Sequence, residues 1–403
     1  MARDDALAVR MFRQAVESGS PGGAADLARM YERGRGVTRD KAEAERWYRV
    51  AAARGDPRGL LLLSDLIADT DRAAARDFAR EALARAEPLV AGGDPDALYV
   101  SGILMIDPHA SGHVSRIDSH EGMKRLRRAA ELHQTDAMST LGSRLVSGHP
   151  EGLRNPREGV RWLEQAAARA DPVACFTLGQ LTFKGHAPSG IAQNPPRAMQ
   201  LFECAAGQGH AEAAYRMGAH SSERAQERYW FRKAMQAGHP HARFRLAVML
   251  VEGKGGPRDE AEALALLDRI VAEKRDAAEI AQIAAAIVRH RDSSEAALRQ
   301  ALNAVEAAIA LRDPHLWIDT LALAHLRLGD AARAEALLGA ELARRGDPDN
   351  LDAVKYRVAL GQALAALGRK DEARTQWRRA RDVWMDGIVA VEIEQRLQEL
   401  DRP

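Results

Sequence analysis

The most irregular loop of the chain, Asp107 to His120, holds its best candidates for metal chemistry. His109, His113 and His120, with Asp107 and Asp118, are metal-competent side chains within fourteen residues. Their spacing fits no zinc pattern, and a loop of this composition would have to be ordered by the ion it bound. They are therefore weak metal candidates in what reads as a solvated insertion, and no cofactor is expected. Signals for catalysis are poor as well. Ser119 and His120 are sequence neighbours with no third group to orient them. Gly34-x-Gly36 and Gly253-x-Gly255-Gly256 are glycine-rich but lack the lysine and Ser/Thr of a phosphate loop and follow no strand pattern, so they read as helix terminators. Most acidic residues have arginine three or four positions away, the pattern of a solvated helix face. The chain is expected not to be an enzyme.

These residues have to be held by elements, and the elements recur. Ala28, Ser64, Gly102, Gly142, Gly179, Gly218 and Ala247 occupy the same point of one short pattern, with successive gaps of 36, 38, 40, 37, 39 and 29. A period in the thirties with slack in the gaps predicts stacked helical hairpins. In residues 24–57 a first helix carries Leu27, Ala28 and Tyr31 on one face, Gly34 ends it, and Asp40 caps a second helix with Trp47, Tyr48, Ala51 and Ala52. Gly55-Asp56-Pro57 stops that helix and opens the next hairpin.

The second-helix ending repeats: RWYRVAAARGDP at 46–57 is nearly reproduced as RWLEQAAARADP at 161–172, with looser copies at 124–137, 200–213 and 228–242. The bulky pair can fill the groove between hairpins while the small pair lets backbones approach. An aromatic ring buries roughly 150–250 Å², more than one hairpin can cover alone, so neighbours must stack. Composition agrees. The chain is 46% hydrophobic but only 5% aromatic, its apolar share is largely alanine and leucine, and strand-like Val/Ile/Thr runs are scarce. The predicted fold is all-α, a right-handed α/α superhelix of about ten stacked hairpins.

Leu27-Ala28…Tyr31…Gly34-x-Gly36-Val37, followed by Asp40…Ala42…Trp47-Tyr48…Ala51-Ala52…Gly55, resembles a Sel1-like repeat. The 239–275 repeat carries the same marks in Leu246-Ala247…Leu250…Gly253-x-Gly255, whereas 56–93 lacks the Gly-x-Gly and the aromatic pair. Past 276 the pattern changes: residues 356–380, with Leu360, Gly361, Leu364, Gly368, Ala373, Trp377 and Ala380, are similar to a tetratricopeptide repeat, and 321–338 is a looser copy in which His325 replaces the usual apolar residue. The expected organisation is a capping helix at 1–19, Sel1-like repeats at 20–275, tetratricopeptide-like repeats at 276–385 and a C-terminal capping helix at 386–403.

The resemblance implies a non-catalytic adaptor or scaffold that takes a protein or peptide in the concave groove, in bacteria often in signalling, envelope regulation or secretion. First helices line that groove. Residues one position after the small residue are expected to face it: Arg29, Asp65, Ile103, Ser143, Gln180, Ala219 and Val248. Aromatics three positions before it, Tyr99, Phe176, Tyr215 and Phe244, either pack within the repeat or reach the groove. The long loops at 107–120 and 185–194 fall two repeats apart on one edge, where they could shape a partner's seat. An RNA-binding helical repeat is the alternative, and a metal-assisted enzyme a further one. The balance of 58 basic and 57 acidic residues, a net charge of +1, argues against a nucleic-acid or anionic-membrane surface as the main partner. The first residues carry charges and no apolar core, and no run approaches the ~20 apolar residues of a membrane helix, so the expectation is a cytoplasmic protein, with a processed secreted form also compatible. Cys175 and Cys204 each fall in a predicted helix, where a cysteine acts as a small buried hydrophobe, and one bridge between them is left open.

Overall fold

The computed structural model describes residues 5–106, 118–149, 152–273, 276–312, 315–346, 351–383 and 388–400. These contain 22 α-helices and no strand, paired as successive hairpins. The chain forms two compact units: Met1–Ser222 with Tyr229–Pro240, and Glu223–Arg228 with His241–Pro403.

In the first unit α1 (Asp5–Glu17) precedes the hairpins α2/α3 (Pro21–Arg33, Lys41–Ala53), α4/α5 (Pro57–Ile67, Arg72–Val90), α6/α7 (Pro95–Ile106, Ser119–Glu131), α8/α9 (Thr135–Ser147, Pro156–Ala168) and α10/α11 (Pro172–Lys184, Pro195–Gly207). The helix α12 (Ala211–Ala219) follows, and α13 (Arg224–Gln236) supplies residues to both units. In the second unit lie α14/α15 (Ala242–Glu252, Glu260–Glu273), α16/α17 (Ala277–Arg289, Glu295–Leu311), α18/α19 (Ile318–Arg327, Ala331–Arg344), α20/α21 (Leu351–Ala366, Lys370–Val383) and α22 (Ile388–Leu400).

Local signals set the helix ends. Asp40 is extended and accepts from the N–H groups of Ala42 and Glu43; Asp56, Asp71, Asn155, Asp171 and Asn194 cap their helices in the same way. Gly34, at φ 66°, closes α2 with its N–H on the Met30 carbonyl, a left-handed conformation that costs glycine little.

The small residues are packing positions. At Gly179 and Gly218 an added Cβ would come within 2.7 Å of Phe202 and 2.8 Å of Phe231, the bulky residues of the following helix. At Gly361 it would come within 2.3 Å of Trp377. Gly102 and Gly142 go further. Their helices meet a second glycine, so that α6 touches α7 at Gly102–Gly122 and α8 touches α9 at Gly142–Gly159 with bare backbone. The second member of each bulky pair is fully buried: Tyr48, Leu163, Phe202 and Phe231 are all at most 1% exposed, while of the first members Trp47 and Trp162 are half-buried and Leu201 is buried. The second unit repeats the scheme with Leu246, Leu250, Ile283, Leu338 and Trp377 in its core.

Cys175 on α10 and Cys204 on α11 are joined by a disulfide across one hairpin, 29 residues apart in sequence. The sequence leaves this pairing open because spacing alone does not say which helix faces meet. Closing a loop of this length removes about 3–4 kcal/mol of unfolded-chain entropy in the simplest treatment.

Candidate functional site

The first helices of the N-terminal hairpins surround a cavity of about 360 Å³. The α2 helix presents Asp26, Arg29, Met30 and Arg33 to it, the i, i+3, i+4, i+7 face of one helix. Opposite stand Arg58 of α4, Asp96 of α6 and Asp136 of α8, with Asp171 at the head of α10 and Arg169 beside it. Arg58, Asp96 and Asp136 are each the second residue of their helix. They lie six positions before Ser64, Gly102 and Gly142, so they recur with the same period as the small residues.

Ion pairs span the cavity. Arg29 meets Asp136 with two parallel bonds, Nη2 to Oδ1 at 2.8 Å and Nη1 to Oδ2 at 3.0 Å, across 107 residues of sequence. Both side chains are about one-fifth exposed. Arg58 donates to Asp26 at 2.9 Å and lies 4.0 Å from Asp96, which also accepts from Gln134 at 3.1 Å. Arg35 pairs with Asp5. Asp171 accepts from the Ala174 N–H at 2.8 Å. The unit also closes on itself at the loop after α2. An added Cβ on Gly209 would lie 2.9 Å from the Arg33 carbonyl, and one on Gly238 would lie 2.5 Å from the Arg39 guanidinium.

The electrostatics follow from this packing. Burial by itself would raise the Asp136 carboxyl, but Arg29, with Arg58 and Arg33 behind it, outweighs burial and pulls it down to about 2. Burial would likewise lower Arg29, and Asp136 more than offsets it, so its charge is held above the ordinary arginine value. Arg33 moves the other way: burial and then the like charge of Arg29 lower it. Burial, followed by the neighbouring Asp136, raises the Asp171 carboxyl, and burial raises Tyr99, whose phenol also feels Asp136.

The residues expected at the groove are dispersed by the structure. Arg29 lines the cavity and is engaged with Asp136. Tyr99 lies beside this pair but is only 9% exposed. Asp65 is exposed on α4, Ile103 packs half-buried against the core, and Gln180 is half-buried. Ser143 is half-buried with its hydroxyl enclosed and, among the described residues, without a hydrogen-bond partner. Phe176 stacks on His210 at 4.3 Å and Tyr215 on His239 at 4.1 Å, so each ring leans on a histidine at the head of the following hairpin. Ala219 is exposed at the end of α12. Phe244 and Val248 are half-buried in the second unit, with Arg245 6.0 Å from the Phe244 ring.

Asp107, His109 and His113 lie outside the described residues. His120 is exposed in the first turn of α7, and Asp118 caps that helix. Among the described residues no three His, Cys, Asp or Glu side chains are grouped to hold a metal ion. The 185–194 loop is closed on itself by backbone bonds between His186 and Ile191, with the His186 ring 2.9 Å from the Ser189 hydroxyl. Asp26, Arg33, Arg58, Asp96 and Asp136 are the residues that reading one position after each small residue does not reach. The same ruler read six positions earlier finds Arg58, Asp96 and Asp136, and the α2 helical face finds Asp26 and Arg33.

The Sel1 repeat model matches residues 1–20, 21–56, 135–171, 172–210 and 240–270. The chain carries Sel1 repeats. They account for three of the hairpins that build the cavity wall, α2/α3, α8/α9 and α10/α11, together with the α1 segment and the first hairpin of the second unit. The two hairpins between 57 and 134 share the architecture without matching the model; α6 and α7 are joined through Gly102 and Gly122, and α4 and α5 through the Ser64 hydroxyl on the Ala75 carbonyl. Among solved structures, a protective antigen of uropathogenic Escherichia coli with an SLR fold is similar at 21% identity, over 96% of this chain and 84% of that one, with a TM-score of 0.45. A Sel1 repeat protein from Oxalobacter formigenes is similar at 24% identity over 66% and 76%, TM-score 0.41. An immunity protein from Pseudomonas aeruginosa is similar at 16% identity over 49% and 74%, TM-score 0.35. No curated protein matches the chain. Sel1 and tetratricopeptide-like repeats are generally protein-interaction scaffolds and typically non-catalytic.

Proposed function

We propose that this Sel1-repeat chain is a non-catalytic adaptor that receives a segment of a protein partner at the inner face of its N-terminal unit. The observation that supports this reading is the charged cavity itself: first helices of successive hairpins converge on a space of about 360 Å³ lined by arginine and aspartate side chains. That volume is at the lower end of the range for ligand pockets, roughly 300–1,000 Å³. It has room for one or two side chains of a partner, and the rest of the partner would lie along the surrounding helices. The arginines suit a hot spot, since guanidinium groups are enriched where binding energy concentrates.

A photo-activated cross-linking residue placed at Thr135 or Gln208, both on the cavity wall, is expected to give a discrete protein adduct in the native host. The same residue at Arg80, exposed on α5, is expected to give none. Equal adducts from all three positions would remove the inner face from the proposal, and adducts that prove to be RNA would replace it with the nucleic-acid reading.

The proposal extends to location. The Cys175–Cys204 bridge suits an oxidising compartment, since the reducing cytosol keeps thiols open. Thiol-blocking reagent added to intact host cells before any reductant should leave both cysteines unlabelled; full labelling would return the chain to the cytosol.

A further inference from the structure

We infer that Arg33 is an anchor for a carboxylate of the partner, so that the segment received at the inner face is an acidic peptide; this rests on the reading of the inner face as the recognition surface. The cavity's other charges are engaged. Arg29 holds Asp136, Arg58 holds Asp26 with Asp96 nearby, Arg35 holds Asp5, and Asp171 accepts from the Ala174 backbone. Arg169 donates to the Gln165 carbonyl at 3.1 Å. Arg33 lines the same cavity half-buried. Among the described residues no acidic side chain lies within ion-pair distance of it.

On the helix it is flanked by Glu32, whose carboxylate accepts from the Tyr48 hydroxyl at 2.8 Å; Glu32 and Asp136 attract it only from beyond ion-pair distance. Arg29 flanks it one turn earlier. Like charges at this spacing oppose each other, and a half-buried guanidinium without a carboxylate is a cost to the fold. Local arrangements that cost stability without a compensating contact are characteristic of functional sites. A carboxylate entering the cavity would remove both penalties at once, through a charge-assisted pair of hydrogen bonds to the planar guanidinium. The size of the cavity limits the occupant to an acidic side chain or a terminal carboxylate on an extended segment. A helix does not fit.

The test uses the full chain, immobilised, as wild type and as Arg33→Ala and Arg33→Lys. The probes are a library of capped octapeptides with two glutamates in otherwise randomised sequence and a matching library with glutamine at the same places. Wild type is expected to retain the glutamate library about tenfold over the glutamine library, as one charge-assisted hydrogen-bonded contact predicts. Arg33→Ala should lose that discrimination and Arg33→Lys keep part of it. The melting temperature of Arg33→Ala should be close to or above that of wild type, because burial and the repulsion from Arg29 outweigh the longer-range attraction of Glu32 and Asp136. Equal retention of the two libraries by wild type overturns the inference, as does discrimination that survives in Arg33→Ala. Inorganic phosphate or acetate that raises the wild-type melting temperature, with no library retained, also overturns it and marks a small-anion site. Cross-linking at Thr135 that persists while glutamate discrimination is absent would leave the inner-face reading standing and remove the carboxylate anchor alone; loss of both removes both.

Discussion

Gly142→Val is expected to destabilise the N-terminal unit by about 3 kcal/mol or more, read as the midpoint shift of denaturant unfolding. Taking a glycine out of a helix interior ordinarily gains up to about 1 kcal/mol, and overpacking a tight contact ordinarily loses about 1–3 kcal/mol. At Gly142 the second effect wins because the obstacle is not a flexible side chain. A Cβ there would sit 2.7 Å from the backbone oxygen of Gly159, and the reciprocal Cβ on Gly159 would sit 2.7 Å from that of Gly142. Two helices would have to separate, along with Leu163, which is fully buried against the same spot. Gly102 repeats the arrangement with Gly122 at 3.0 Å and should respond in kind. As a control, Gly339 on α19 meets nothing within 4 Å; alanine there should stabilise slightly. A Gly142→Val protein as stable as wild type would show that the helix pair can part at no cost and that the glycine row is not what sets its spacing.

Asp136→Asn is expected to cost about 2–4 kcal/mol. Breaking a buried ion pair by removing one partner typically loses about 3–5 kcal/mol, and the residual exposure of Arg29 and Asp136, 20% and 19%, reduces that. The loss should be pH-dependent. The Asp136 carboxyl is pulled to about 2 from an ordinary 3.8, so its contribution is fully present above pH 4 and disappears as pH falls through about 2. The shift corresponds to about 2 kcal/mol. Asp56 and Asp171, raised by burial, run the opposite way and favour the folded state on acidification, so the quantity to follow is the difference between wild type and Asp136→Asn. That difference should close between pH 4 and 2. The double variant Arg29→Met, Asp136→Leu should recover most of the loss, because it removes both charges from the cavity wall. A cost below about 0.5 kcal/mol for Asp136→Asn would put the pair in the class of surface salt bridges.

The hairpins were legible because each rests on short-range chemistry. Asp40 and Asp56 announce helix starts, Gly34 announces an end, and Tyr48-x-x-Ala51 announces a face that must be covered; all of these signals act within one or two turns of chain. The small-residue row was legible for the same reason, since a glycine opposite Phe202 or Trp377 is a local demand that every hairpin makes. The cavity was only half legible. Arg29 is found by reading one position after each small residue, but that row assumes that every repeat presents the same position inward. Phe176 and Tyr215 instead lean on His210 and His239, and the polar wall is built from the second residues of the helices, six positions earlier.

What the amino-acid sequence determines by itself is therefore the repeating unit: its helices, their caps, its buried faces and the need for neighbours. Which residues meet across the inner face was decided by the tertiary structure. Arg29 and Asp136 are 107 residues apart, and their meeting depends on the small rotation and translation added at each hairpin between α2 and α8. Those increments come from side-chain volumes at every helix crossing. Each is too slight to read from one repeat, and only their sum brings an arginine of the first hairpin to an aspartate of the fourth while Arg33, one turn further along α2, is left without an acidic partner.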